Sequence, residues 1–223
     1  MKQSVPAFAL LLTLAACGGA STDQAKTEEK KEAAVATGVA YVIDTTTTAV
    51  QWRATHKGGF APRFGSIKVT DGSLNVENGA VTGGSFNVNL GSLAVDPASV
   101  TEPDKKPADL EGHLKSPDFF DVAKHPQAKF VITSVAPFDS TKAKSLLAGA
   151  TNLISGNLTL KDSTLNITFP AQITVSENDV TANAKFVIDR SSWGINYKTE
   201  GSPENWMISK DVEIGFSLKA AKK

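Results

Sequence analysis

The side chains with the widest chemistry in this chain are its three histidines, His56, His113 and His125. A neutral imidazole can bind zinc or transfer a proton near neutral pH. The spacing of these histidines does not match the His-Glu-x-x-His pair that presents two zinc ligands from one helix. We therefore favour hydrogen bonds that fix a loop for His113 and His125 over a metal site.

Sequence motifs for catalysis are missing as well. Residues 83–87 read Gly-Gly-Ser-Phe-Asn and lack the final glycine of a nucleophile elbow. A hydrolase or isomerase would need a titratable pair in a cavity, for which His56, Asp189 and Arg190 are the candidates. We expect Asp189 and Arg190 to form a structural ion pair instead. The sequence thus predicts a protein that is not an enzyme and uses no cofactor.

The single cysteine, Cys17, follows an apolar run over residues 5–16 that begins after Lys2. This run is shorter than the about 20 apolar residues of a membrane span, and it is typical of a secretory signal. Leu14-Ala15-Ala16-Cys17 resembles a bacterial lipobox. We predict a lipoprotein signal peptide over residues 1–16 and lipidation of Cys17, which would attach the protein to a membrane of the cell envelope. An ordinary secretory signal is the alternative.

Residues 17–38 would then be the lipidated cysteine and a flexible tether. The segment contains a cluster of lysines and glutamates among alanines and threonines, and it has no aromatic residue. Such a composition cannot bury enough apolar surface to fold by itself. We expect a solvated spacer that holds one folded domain, residues 39–223, away from the bilayer.

Charge is balanced over the whole chain, with 23 lysines and arginines against 23 aspartates and glutamates. No basic stripe stands out, and neutralising phosphates requires clustered positive charge. Nucleic acid is therefore not expected as a partner, and the oligomeric state stays open.

Alternation of apolar and polar residues indicates antiparallel β-strands with one buried face. It is clear in Phe86–Leu90, Leu165–Phe169 and Asp211–Leu218, and looser in Val50–Ala54 and Phe130–Thr133. Asn78-Gly79 predicts a tight hairpin turn, and Asp71-Gly72, Lys161-Asp162 and Asn178-Asp179 predict further turns. These signals predict about eight strands in meander order. Pattern alone leaves open whether the strands form a barrel or a sandwich.

One segment departs from the strand pattern. Residues 95–107 contain three prolines and predict a long exposed loop, and residues 108–115 predict a short helix that ends before Pro117. The helix and loop would border one end of the sheet.

Several motifs together resemble the YceI-like family. Leu114 and Ser116 precede the cluster Asp118-Phe119-Phe120-Asp121, which a proline and a strand-opening Phe130 follow. Val50-Gln51-Trp52 resembles the family's first strand, and residues 186–195 its arginine and aromatic-glycine step. The resemblance implies an all-β fold, an eight-stranded antiparallel lipocalin-like barrel with a short helix and a long loop near one end.

The resemblance also implies that the barrel binds and sequesters or carries a long-chain amphiphile, a polyisoprenoid or similar lipid, at the bacterial cell envelope. The candidate ligand-binding residues are apolar residues of the strands and of the paired phenylalanines: Trp52, Phe86, Leu90, Phe119, Phe120, Phe130, Ile132, Leu158, Phe169 and Phe186. In an extended chain only one of Phe119 and Phe120 would face inward. The alternative is a structural or interaction module of the envelope, in which the same side chains fill a closed core.

Overall fold

The computed structural model describes residues 24–199 and 208–223. Its helix α1 is Pro107–Lys115, and its eleven strands are β1 (Lys26–Glu29), β2 (Val39–Ile43), β3 (Ala49–His56), β4 (Arg63–Glu77), β5 (Ala80–Asn89), β6 (Ala94–Val95), β7 (Gln127–Pro137), β8 (Asn152–Leu160), β9 (Ser163–Val175), β10 (Asp179–Asp189) and β11 (Ile208–Lys222). Among these residues no helix is both long enough and apolar enough to cross a membrane.

The strands close into an antiparallel barrel. The sheet runs from β9 through β10 and β11 to β4, β5, β7 and β8, and the pairing of β8 with β9 closes the ring. β2 and β3 both lie between β11 and β4, so the two strands share one position of an eight-stranded barrel. The predicted fold class is therefore confirmed.

Burial alternates along the strands, which shows that the core lies inside the barrel. Along β10 every second residue, from Val180 to Ile188, is at most 4% exposed. A strand presents successive side chains to opposite faces, so this alternation specifies which face is the interior.

One predicted hairpin turn agrees with the structure, and another predicted turn does not. Asn78 and Gly79, with φ angles of 51° and 76°, form the turn between β4 and β5. Positive φ at both central residues is the geometry that Asn-Gly favours in a two-residue hairpin. Asp71-Gly72 is different, because these residues lie within β4 beside a bulge between Val69 and Asp71. The bend predicted between two strands is therefore a bulge within one continuous strand.

The helix predicted before Pro117 is present as α1. Pro107 occupies its first turn, where the missing N–H costs nothing, and Ser116 caps its carboxyl end. A carboxylate oxygen of Glu111 accepts a hydrogen bond of 2.8 Å from the backbone N–H of Val95. This bond links the helix to β6. Because β6 pairs with β4, the predicted long loop before the helix is partly ordered against β4.

The amino-terminal segment corrects the prediction of a free tether. From Gln24 to Gly38 the chain lies against the barrel: β1 pairs with β9, and Ala34 N–H donates to the carbonyl of Ile132 at 3.0 Å. Composition alone did not reveal this, because a short polar segment can be held by backbone hydrogen bonds to a sheet that other residues build. The cysteine and the rest of the predicted tether lie outside the described residues.

β1 occupies a gap between two neighbouring strands. β9 and β10 pair with each other only over residues 171–175 and 180–184. Where they separate, β1 pairs antiparallel with Leu165–Thr168 of β9, and Gln24 bridges Val187 of β10. The amino-terminal strand thus completes the wall at this seam.

Candidate ligand-binding cavity

One half of the barrel encloses a cavity of about 660 Å³ with a predominantly apolar lining. Inward-facing residues of eight strands contribute to it, together with α1 and the loop that follows. Protein interiors have few voids larger than a water molecule, so a space of this size belongs to the fold and is not a packing defect. It falls within the range of about 300–1,000 Å³ that is typical of ligand pockets.

Five phenylalanines close the inner end of the cavity. The rings of Phe169 and Phe186 stack at 4.0 Å, and Phe130 lies 5.8 Å from Phe169 and 5.4 Å from Phe86. Phe216 contacts Phe169 edge-on at 6.0 Å. We call these five residues, Phe86, Phe130, Phe169, Phe186 and Phe216, the phenylalanine floor.

A glycine makes room for one ring of this floor. A Cβ atom at Gly156 would lie 2.1 Å from Cζ of Phe130, so only glycine lets that ring cross toward β8. The ring therefore occupies the place where a side chain of β8 would otherwise stand.

Below the floor the barrel is filled. Val180, Ala182, Leu218 and Ala220 face inward from β10 and β11, are at most 4% exposed, and do not line the cavity. The cavity therefore occupies only the half of the barrel above the floor.

The opposite end of the cavity, its mouth, is bordered by α1 and the following loop. Leu110 and Leu114 of the helix line it, and so do both Phe119 and Phe120. The prediction that only one of these phenylalanines faces inward was wrong, because the segment is not extended. It folds in tight turns, with Phe119 N–H donating to Ser116 and Phe120 N–H to Leu114.

The histidine of α1 belongs to an aromatic cluster at the mouth. His113 contacts Phe119 at 5.2 Å and Tyr197 at 4.9 Å, and its Nε2 lies 2.9 Å from a carboxylate oxygen of Asp118. The expectation that His113 fixes the loop through hydrogen bonding is confirmed. His125 lies 3.6 Å from Asp162 on an adjacent turn, and His56 lines the cavity. Within residues 24–199 and 208–223 no three potential metal ligands come together.

Arg190 is buried at the mouth and bound by main-chain carbonyls. Its guanidinium donates to the carbonyls of Ile195 at 2.7 Å, Tyr197 at 2.9 Å and Ser209 at 3.1 Å. Its Cζ lies 5.6 Å from the ring centre of Phe119. Burial lowers the pKa of Arg190 from its usual value, but an arginine stays protonated at neutral pH. A fixed positive charge therefore borders the cavity.

Asp189 pairs with a lysine and not with its neighbour Arg190. One oxygen of Asp189 accepts from Lys210 Nζ at 2.8 Å, and the other accepts from the N–H and hydroxyl of Ser191. Partial burial raises the pKa of Asp189, but the hydrogen bonds from Lys210 and Ser191 outweigh it and hold this pKa below its usual value. The predicted Asp189–Arg190 ion pair is replaced by a carboxylate that orders the turn carrying Arg190.

Lysines are the other charges at the mouth. Lys105, Lys106 and Lys198 line it, and none forms an ion pair with a carboxylate among the described residues. Asp109 is the one acidic residue in the described lining, and Arg63 is paired with Glu102. The described rim of the cavity is therefore net positive.

Nine of the ten residues predicted to bind ligand line the cavity. Ile132 is the exception: it is buried, lies two residues below Phe130 on β7, and does not line the cavity. The alternation of apolar and polar residues correctly predicted that Ile132 faces the interior. It could not show at which level of the barrel the floor of the cavity lies. Sequence reasoning missed Val212, Ile214 and Phe216, although their alternation on β11 was visible, and it gave no signal for the three lysines.

Comparison with known sequences identifies one family. The YceI-like domain matches residues 41–220. A UPF0312 protein of Shewanella denitrificans is 35% identical over 43% of this chain and 47% of its own length. The YceI protein of Escherichia coli is 32% identical over 56% of this chain and 55% of its own. The matched regions thus span about half the length of these two relatives.

Solved structures show the same fold at low identity. BcnA of Burkholderia cenocepacia superposes with a TM-score of 0.58 at 18% identity, covering 80% of this chain and 99% of its own. A polyisoprenoid binding domain from Saccharophagus degradans gives 0.55 at 14% identity, covering 83% and 99%.

Proposed function

Because the chain belongs to the YceI-like domain family, we propose that its barrel binds an apolar amphiphile, a polyisoprenoid or similar lipid, and sequesters or carries it without transforming it. The apolar cavity between the phenylalanine floor and the mouth is the observation that carries this function. Removing an apolar tail from water contributes about 25 cal/mol per Å² buried, so such a lining suffices for affinity.

The same cavity weighs against the alternative of a structural module with a filled core. A core that serves packing alone would lose dispersion contacts and stability around an empty space of this size. The relative from Saccharophagus degradans supports the ligand class, because that protein is described as a polyisoprenoid binding domain and has the same fold.

The charge of the mouth favours an anionic head group. Lys105, Lys106 and Lys198 line the mouth, and the buried Arg190 adds a fixed positive charge to the lining. A carboxylate or phosphate there would gain charge-assisted hydrogen bonds while its tail lies in the apolar interior.

We place the protein at the cell envelope, facing the periplasm or the cell surface, with residues 1–16 as the signal peptide and Cys17 as its membrane anchor. The docking of β1 shortens the tether that the composition suggests. Seven residue steps from Cys17 to Gln24 span at most about 25 Å at about 3.5 Å each. The barrel would therefore lie close to the membrane surface from which it takes its ligand.

Native mass spectrometry of the protein purified from its own envelope tests the proposal. We expect one apolar molecule per chain, recovered unchanged after solvent extraction. Ala54→Trp, which fills part of the cavity lining, should copurify with less of it. Absence of any stoichiometric ligand, together with failure to bind added lipids, would overturn the function.

Labelling with a radioactive fatty acid tests the membrane anchor. We expect the label on position 17 of the wild-type protein and none on the Cys17→Ser variant.

A further inference from the structure

We propose that the phenylalanine floor is a length gauge, which limits the bound tail to about 11–17 carbon atoms, or three to four isoprene units. This inference rests on the proposed function and narrows its ligand to short-tailed amphiphiles. A long polyisoprenoid would not fit between the floor and the mouth.

The length follows from the strands that connect the two ends. Phe186 of the floor lies on β10, and Arg190 of the mouth directly follows the end of this strand, four residues later, which corresponds to about 13 Å at about 3.3 Å per residue. Val50, which pairs with Phe216 of the floor, and His56, at the end of β3, are six residues apart, or about 20 Å. An extended chain advances about 1.2 Å per bond, so these distances accommodate about 11–17 carbons.

A tail of this length matches an ordinary membrane lipid. Half the hydrocarbon core of a bilayer is about 15 Å thick, which is the depth that one acyl tail spans. The cavity thus buries about the same length of a single tail as one leaflet of the membrane does. A longer tail would have to leave methylene groups in water or fold back on itself.

The floor is held too firmly to yield to a longer tail. Phe130 fits against Gly156 where no Cβ is tolerated, and Phe169 is stacked on Phe186. Beneath them Ile132 and Ile154 are each 5% exposed. Moving one ring downward therefore requires displacing close-packed side chains, which interiors resist.

Displacement of a fluorescent fatty-acid probe by fatty acids of about 8 to about 22 carbons measures the gauge. We expect Kd to fall about fourfold for each added carbon, which corresponds to about 0.8 kcal/mol per methylene, until the tail reaches the floor. Beyond about 17 carbons Kd should stop falling or rise. Farnesyl and geranylgeranyl phosphates should compete better than a long polyprenyl phosphate.

Three variants assign the limit to the floor. Phe130→Ala opens the path past Gly156 and should shift the optimum to tails several carbons longer. Ala128→Leu adds bulk above the floor and should shift it to shorter tails. Ile132→Ala is the matched control, because it removes volume below the floor and should leave the length preference unchanged.

The outcomes separate the two proposals. Binding that improves without limit up to the longest tails, or an optimum that Ala128→Leu does not shorten, would overturn the gauge and leave lipid binding intact. Failure of every tail length and of every isoprenoid to displace or bind would overturn the proposed function itself. If Phe130→Ala does not fold, the wild-type profile and Ala128→Leu still decide.

Discussion

The ring of Phe130 on β7 occupies the space of a side chain at Gly156 on β8. Three ring atoms lie within 2.7 Å of the position that a Cβ at Gly156 would take, the nearest at 2.1 Å. Neighbouring strands therefore supply one large and one absent side chain at the same level of the barrel. Because the Phe130 ring fills the space at Gly156, the phenylalanine floor continues from β7 to the opposite wall. The position of this floor sets the depth of the cavity.

Gly156→Ala should push the Phe130 ring upward into the cavity. Overpacking of this kind costs about 1–3 kcal/mol, reduced by up to about 1 kcal/mol because alanine suits a strand better than glycine. Urea unfolding measures the change in free energy of unfolding. Gly215→Ala is the matched control, since its nearest neighbour lies at 3.7 Å, and it should be neutral or slightly stabilising. Equal effects of the two substitutions would contradict the steric account.

Asn157 holds the amino-terminal segment to the barrel. Its side chain donates to the carbonyl of Lys31 at 2.7 Å and accepts from the Lys31 N–H at 3.0 Å, and it also accepts from Asn166. Asn157→Ala removes these hydrogen bonds, one of which joins it to the fully buried Asn166, and should lower the free energy of unfolding by about 1–3 kcal/mol.

Limited proteolysis distinguishes this role from general destabilisation. Under conditions where the barrel stays folded, Asn157→Ala should speed tryptic cleavage after Lys30 and Lys31, because the segment detaches from the seam first. Asn152→Ala, at a partly exposed position on the same strand, should be cleaved at the wild-type rate. Unchanged cleavage of the Asn157 variant would mean that the segment is held elsewhere.

The lysines of the mouth should contribute to the binding of anionic ligands alone. Lys106→Glu combined with Lys198→Glu should weaken a fatty-acid anion several-fold, since two charges about 4 Å apart interact by about 1 kcal/mol in water. A neutral fatty alcohol of equal length should bind as before. The effect should shrink at high salt, because exposed charges are screened.

Lys142→Glu, on a loop away from the cavity, is the matched control for the charge change. If the anion and the alcohol respond equally to the two mouth substitutions, the lysines act through folding and not through the head group.

Acid should loosen the mouth through Asp189. The pKa of this carboxylate is lowered in the folded protein, because the hydrogen bonds from Lys210 and Ser191 outweigh the effect of burial. Its contribution to stability is therefore fully present above the unfolded pKa of about 3.9 and is lost as pH falls below that value toward the folded pKa.

Asp189→Asn keeps the approximate shape of the side chain but loses the charge that binds Lys210. We expect the variant to be less stable at pH 7 and the difference from wild type to shrink below about pH 4. Free energies of unfolding measured across this range check the prediction. A difference that stays constant with pH would show that the carboxylate charge contributes nothing.

Strand alternation and turn residues in the sequence determined most of the barrel. The alternation on β10 and β11 specified the interior face, Asn78-Gly79 specified a hairpin, and Pro107 and Pro117 bounded the helix. These are local signals, because each depends on backbone preferences or on a period of two within a few residues.

Only the tertiary structure decided where the cavity begins and ends. Ile132 and Phe130 share one face of β7, yet one is packed below the floor and the other forms it. Gly156 is close to Phe130 in space but distant in sequence, so no pattern within one strand predicts their contact. The same holds for Lys105 and Lys198, which both line the mouth, and for β1, whose polar residues bind the seam through backbone groups. Periodicity identifies the buried face of each strand, whereas the depth of a cavity depends on side chains that meet across the barrel.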